Sequence, residues 1–315
     1  MGVLVAFISP NRTWVLPRAF VDDLRRRFPQ HTFLDAWDEA ALASAVGEAE
    51  VAFSASIDRR LFGSLPRLKW IQSPAAGVGG LLSPALVDSP IVLTSARGIR
   101  ARAIAEHVLA VTLALARQLH VAVLRQAAHQ WALDEIESSG RVRTLRGRRL
   151  TIVGLGSIGA EVARVAAPFG LRVSAVRKRV ADPAPEGVDR IVPPEGLHDL
   201  LADSDVVVLS AALTPETRHL IGREALARLK PGALLVNVGR GKLLDDDAVI
   251  EALRDGRIGG AALDVFTREP LEPESPYWDL PNVIITPHSS GTMEDYWTPL
   301  VALFAENLRR FERGE

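Results

Sequence analysis

Three side chains stand where an open α/β sheet would collect chemistry. Arg240 follows the apolar run 234–239, Glu269 follows 261–266, and His288 follows 283–287. Each lies just beyond the C-terminal end of an expected strand, the edge at which such sheets hold their ligands. An arginine can clamp a carboxylate through two parallel hydrogen bonds, and Gly239 and Gly241 leave room around this guanidinium. A histidine close to a glutamate is held in one tautomer with its cation favoured, which suits a proton donor near neutral pH. Taken singly, the three read as a surface cation, a solvated acid and a turn histidine. Their shared placement at strand ends is what sets them apart.

The strands that would carry them belong to a series opening at Thr151–Val153, a short β-branched run. Gly154, Gly156 and Gly159 then form G-x-G-x-x-G, and 160–169 continues at helical spacing. In this strand–turn–helix setting the first glycine permits the tight turn and the second lets a pyrophosphate approach the backbone. The third allows helix and strand to pack closely. A dinucleotide's phosphates would meet the free N–H groups and positive dipole end of that helix. The next strand, 171–176, runs into Arg177, Lys178 and Arg179, with no acidic residue before Asp182. An acid at that point would hold the ribose 2′-hydroxyl of NAD and repel a 2′-phosphate, whereas a guanidinium can hydrogen-bond the phosphate. The sequence therefore predicts NADPH as the preferred cofactor, with NAD as the alternative; a solvated basic turn is the plainer reading.

The elements around these positions alternate. Strands are expected at 2–8, 32–34, 51–54, 69–72 and 91–94, with helices at 15–28 and 39–46 and a short one after Ser83-Pro84. Long helices at 100–117 and 121–132 lead into strands at 150–154, 171–176, 205–209, 233–238, 259–263 and 282–285. Helices fall between them at 158–168, 223–229 and 245–255, and a last one at 293–310. Alternation of this kind predicts parallel sheets covered on both faces, here two doubly wound α/β domains. The glycine-rich stretch 73–80 lies between two early strands; ligand-binding backbone and plain turn fit its spacing equally well.

Composition narrows the function. A chain of 315 residues suits two domains. Its net charge of −1, with dispersed basic residues, argues against nucleic acid. The absence of cysteine excludes disulfides, thiolate metal sites and cysteine nucleophiles. Seven histidines with no H-E-x-x-H and no His/carboxylate cluster argue against a metal. The run 239–242 lacks the glycine spacing of a Walker loop. No stretch reads as a signal peptide or membrane span, so a cytoplasmic protein is expected.

Several of these segments together resemble the D-isomer-specific 2-hydroxyacid dehydrogenases across nearly the whole chain. The similarity rests on 153–159, 213–217, 235–241, 262–271 and 286–288, and the run 269–278 is especially similar to the glyoxylate/hydroxypyruvate reductase branch. The resemblance implies a Rossmann cofactor domain (98–291) inserted in a flavodoxin-like substrate domain (1–97 and 292–315), with the active site in the cleft between them. It implies reduction of a small 2-oxo acid, with Arg240 as substrate clamp, His288 as proton donor and Glu269 as its partner. The Gly77 and Val78 amides would bind the substrate carboxylate. Cofactor contacts would fall on Gly154, Gly156, Ser157, Ile158, Gly159, Val238, Gly239 and Asp264, beside Arg177, Lys178 and Arg179. Relatives are usually homodimers through the helices near 100–145, which puts Trp131 near the contact. Trp131, Tyr296 and Trp297 are candidates for the substrate pocket, with packing the plainer reading. The chain departs from the family at Ser210-Ala-Ala212, where a histidine is common, and Glu269 in place of glutamine argues against formate dehydrogenases. His107 is a rival acid, read as a packed helix residue. The same resemblance admits a second class, nucleotide-sensing scaffolds such as dehydrogenase-like corepressors, in which this set persists with little turnover.

Overall fold

A computed structural model describes residues 1–9 and 14–315. The chain divides into two compact units, Met1–Ile99 with Glu294–Glu315, and Arg100–Met293, against expected joints at 97/98 and 291/292.

The first unit is built on β1 (Gly2–Ala6), α1 (Arg18–Arg27), β2 (Thr32–Ala36), α2 (Glu39–Ala45), β3 (Val51–Ser54), β4 (Trp70–Gln72), α3 (Pro84–Val87) and β5 (Val92–Thr94). Its five strands are parallel in the order β2-β1-β3-β4-β5, the flavodoxin-like arrangement. Side chains alternate across the sheet. Leu4, Ala6, Ala52 and Ile71 pack under α2 and α3, while Phe53 and Trp70 stack on Phe304 of the chain's last helix. The first helix starts at Arg18, three residues later than the apolar pattern suggested. Pro17 is extended (φ −61°, ψ 136°), and a proline disfavours helical backbone in the residue before it.

The second unit opens with α4 (Ala101–Ala116), α5 (Leu119–Ala127) and α6 (Leu133–Ser138). It continues through β6 (Arg149–Val153), α7 (Ser157–Ala166), β7 (Arg172–Val176), β8 (Arg190–Val192), α8 (Leu197–Asp203) and β9 (Val206–Leu209). It closes with α9 (Arg223–Arg228), β10 (Leu234–Asn237), α10 (Asp246–Arg254), β11 (Gly260–Leu263) and β12 (Val283–Ile285); the last helix, α11 (Trp297–Glu312), returns to the first unit. The seven strands are parallel in the order β12-β11-β10-β9-β6-β7-β8, the Rossmann order with one strand added. Period-two alternation sends Leu150, Ile152, Val206 and Val208 to one face, against Ile104, Val108, Val111 and Leu115 of α4 and Val162, Ala163 and Ala166 of α7. Val207, Leu209, Leu235 and Leu263 go to the other, against Leu200, Leu226, Val249 and Leu253 of α8, α9 and α10. Both faces are covered, as a parallel sheet requires.

The stretch expected as one helix at 121–132 is α5 followed by a break at His129 (φ 57°) and then α6. Neither helix buries a residue, so no core packing fixes where one ends and the next begins. β8 and α8 were not expected, because a three-residue edge strand and a seven-residue helix carry almost no periodic signal.

Candidate active site

One row of residues organises the second unit. Val192, Val176, Val153, Leu209, Asn237, Leu263 and Ile285 lie side by side across all seven strands. Gly154, Arg177 and Ser210 are each the next residue after that row. Arg240 and His288 come three residues past it, on β10 and β12, and Glu269 six past it, on β11 between them. The structure thus brings Arg240, Glu269 and His288 to adjacent loops at one sheet edge.

The arginine loop is tied down by Asn237, a fully buried amide at the end of an otherwise apolar strand. Its Oδ1 accepts from the Gly239 N–H (3.0 Å) and its Nδ2 donates to the Arg240 carbonyl (3.0 Å). Gly241 lies so close to β11's exit that an added Cβ would stand 1.9 Å from the Phe266 carbonyl carbon. Arg240 itself is exposed. It donates from Nη1 to the Gly239 carbonyl (2.6 Å) and makes no ion pair among the described residues.

Glu269 and His288 form a pair at 2.6 Å, between Oε2 and Nδ1. The other carboxylate oxygen accepts the Phe266 N–H at 2.9 Å, which fixes the carboxylate plane. An ionised carboxylate only accepts, so Nδ1 carries a proton and Nε2 is the nitrogen left for a substrate. His288 has φ 51°, an uncommon backbone for a residue with a Cβ. The turn is held by Asp264: its carbonyl accepts the His288 N–H (2.9 Å). Its carboxylate accepts the Thr286 hydroxyl (2.6 Å) and the N–H groups of Ser289 (2.9 Å) and Ser290 (3.1 Å). Asp264 is buried, so this one acid anchors the loop that carries His288. Having given its proton to Asp264, the Thr286 hydroxyl meets His107 Nε2 at 3.3 Å as an acceptor. Burial lowers the His107 pKa, opposed in part by the charge of Asp264. His107 is thus half-buried on α4, and its Nε2 faces a hydroxyl.

At the glycine turn, Gly154 has φ 99° and would clash with Ala211 if it carried a Cβ (2.5 Å to Cα). Gly159 packs on the Gly154 carbonyl in the same way (2.5 Å). No side chain caps α7, and the first helical N–H with an internal acceptor is that of Ala160. The N–H groups of Ser157, Ile158 and Gly159 therefore point out of the helix, as a pyrophosphate requires. Ser210, in the stretch 210–212 where the resemblance leads to the expectation of a histidine, donates its hydroxyl to the Gly154 carbonyl at 2.8 Å and so braces the turn. Beyond β7, Arg177 donates to the carbonyls of Asp182 and Pro183 (3.2 Å to the latter), and its Nε is buried without a partner. Arg179 lies 3.4 Å from the Asp182 carboxylate, and the charge of Lys178 acts on Glu216. Val238 is buried and Gly239 packs against the Ala211 and Leu209 carbonyls, which brings the β9 and β10 exits together.

In the first unit, the loop 73–80 leaves the C-terminal end of β4. Among the described residues, no acceptor engages the N–H groups of Gly77 and Val78. Tyr296 donates to the Pro74 carbonyl and packs with Trp14 and Trp297; Trp297 in turn meets Phe7 edge-on. These two aromatics are packed within their own unit, whereas Trp131 in the second unit is 91% exposed.

Asn237, Thr286 and the bracing role of Ser210 were not singled out from the sequence. A buried asparagine ending the run Leu-Leu-Val was the one available signal; the other two depend on contacts between residues far apart in the chain.

Residues 109–290 match the family model of the D-isomer specific 2-hydroxyacid dehydrogenase NAD-binding domain. Glyoxylate/hydroxypyruvate reductase B of Pectobacterium carotovorum is 35% identical over 310 residues, covering 96% of this chain and 95% of the relative. Among solved structures, a D-isomer specific 2-hydroxyacid dehydrogenase family protein from Aeromonas salmonicida superposes with TM-score 0.83 at 33% identity, over 99% of this chain and 96% of that one. A family member from Xanthobacter autotrophicus, solved with NADPH and MES, gives TM-score 0.83 at 31% identity, over 100% and 96%. Sheet order, strand-end residues and relatives agree: the chain is an oxidoreductase of the D-isomer-specific 2-hydroxyacid dehydrogenase family.

Proposed function

We propose that the protein reduces a small 2-oxo acid of the glyoxylate or hydroxypyruvate type to the D-2-hydroxy acid, with NADPH preferred over NADH. The observation that carries this reading is the Glu269–His288 pair at 2.6 Å, one strand over from an arginine with no counter-ion among the described residues. Bound at the Gly154 turn, the reduced nicotinamide cofactor supplies the hydride. Arg240 binds the substrate carboxylate and fixes the carbonyl, the work a planar guanidinium does better than a point charge. His288, cationic with Nδ1–H on Glu269, gives the Nε2 proton to the developing alkoxide and relaxes to neutral imidazole. The N–H groups of Gly77 and Val78, which no acceptor engages among the described residues, are proposed as donors to a carboxylate.

The residues at the turn fit the cofactor: uncapped N–H groups for the pyrophosphate, glycines where a Cβ would clash, and Asp264 and Val238 beside the exit of β10 and β11. The relative solved with NADPH supports the phosphorylated form, as does the absence of an acid between Val176 and Asp182. A single charged hydrogen bond from Arg177 is worth roughly 1.5–3 kcal/mol, or about ten- to a hundredfold in preference. We also propose a cytoplasmic homodimer. No single helix among the described residues is long and apolar enough to cross a membrane, and α5 and α6 leave Val123, Leu124 and Trp131 exposed. Steady-state kinetics with glyoxylate and hydroxypyruvate should give a kcat/KM about tenfold or more higher with NADPH than with NADH. Equal values would remove the cofactor assignment.

A further inference from the structure

The three cations after β7 are not idle. Arg177 is turned back on the carbonyls of Asp182 and Pro183. Arg179 pairs with the Asp182 carboxylate at 3.4 Å, with side-chain exposures of 84% and 49%. Lys178 acts through its charge on Glu216, in the loop after β9. Glu216 is held in place by the Thr214 hydroxyl, which donates to its Oε2 at 2.6 Å. That bond first, then a hydrogen bond from its own backbone N–H, and after these the field of Lys178 keep its carboxyl below the usual range, so it is an anion at neutral pH. The Asp182 carboxylate thus pairs with the basic stretch that would receive the adenosine end of a dinucleotide, and Glu216, on another loop, adds a negative charge to its field.

We propose that Asp182 and Glu216 are specificity-determining residues: built-in anionic competitors, Asp182 paired with Arg179 and Glu216 acting only through its field, that restrain the preference for a 2′-phosphorylated cofactor. The proposal rests on the reading of Arg177–Arg179 as the 2′-phosphate donors. A neutral ribose 2′-hydroxyl neither needs these cations nor feels the carboxylates strongly. A 2′-phosphate must displace Asp182 from Arg179 and accept the repulsion of Glu216. Because these side chains are exposed, water and salt screen them, and each carboxylate is worth only a few-fold in affinity. Replacing the Asp182 side chain leaves its backbone carbonyl, and so the Arg177 contact, in place.

The test is calorimetric binding of 2′,5′-ADP and 5′-AMP to the full chain, to Asp182→Asn and to Glu216→Gln. Each variant should bind 2′,5′-ADP about two- to fivefold tighter, with 5′-AMP unchanged and the gain shrinking in added salt. Unchanged 2′,5′-ADP affinity in both variants, or equal tightening of 5′-AMP, would overturn the proposal. Arg177→Asp separates the two levels of argument. If it binds 2′,5′-ADP as the parent does, the 2′-phosphate reading itself fails. If it weakens 2′,5′-ADP alone while the two carboxamide variants change nothing, only the competitor role falls.

Discussion

Glu269 has two oxygens and two donors to satisfy, the Phe266 N–H and His288 Nδ1–H. A glutamine there has one acceptor and one NH2 group, so it cannot serve both donors. If its oxygen keeps Phe266, its NH2 faces Nδ1 and favours the neutral tautomer with the proton on Nε2, which cannot usefully be given away. Glu269→Gln should therefore lower kcat by about ten- to a hundredfold, within the usual range for disturbing proton transfer, with KM for NADPH nearly unchanged. Stopped-flow or steady-state rates check this, and an unchanged kcat would mean that Glu269 only shapes the loop. Arg240, Glu269 and His288 were legible in the sequence because each follows an apolar run and the strand-end rule needs nothing else. The anchors were not. Asp264 was read as a cofactor contact, yet its carboxylate also takes the hydroxyl and N–H groups of residues more than twenty positions away, a link no local pattern carries.

At the scale of elements, the site depends on how closely the exits of β10 and β11 approach. Gly241 is the contact: a Cβ there would sit 1.9 Å from the Phe266 carbonyl carbon and 2.2 Å from its oxygen, and backbone cannot yield as a side chain does. Gly241→Ala should destabilise the second unit by about 1–3 kcal/mol through overpacking. It should also lower kcat/KM for 2-oxo acids by moving Arg240 and the Glu269 loop apart. Thermal unfolding together with kinetics tests both; a variant with parental Tm and kcat/KM would show the loops to be independent. The buried strands were readable as continuous apolar runs, and α4, α7 and α10 because one side of each is apolar at a fixed period. The α5–α6 break, β8 and α8 were not, since they bury little or are too short to show a period.

At the scale of the molecule, the largest exposed aromatic is Trp131, 91% accessible beside helices that bury nothing of their own; Val123 and Leu124 are 63% and 64% exposed. Exposed apolar side chains clustered on one segment are a candidate contact surface. Light scattering at micromolar concentration should report a dimer, and Trp131→Glu should shift it toward monomer; a monomeric parent protein would dismiss the idea. Two parallel sheets followed from the alternation of the chain, whereas the expected contact near Trp131 came from the family resemblance, because an exposed surface has no period. The account as a whole turns on whether His288 gives the proton. The most direct measurement is nucleotide oxidation followed at 340 nm with saturating glyoxylate, for the parent chain and for His288→Ala. The parent should turn over, and the variant's kcat should fall by about 10²- to 10⁴-fold, the usual worth of a positioned general acid, while cofactor binding stays within about twofold. Equal kcat in the two proteins would pass the role to His107 or to water, and no turnover by the parent with any 2-oxo acid would favour a nucleotide-sensing scaffold instead.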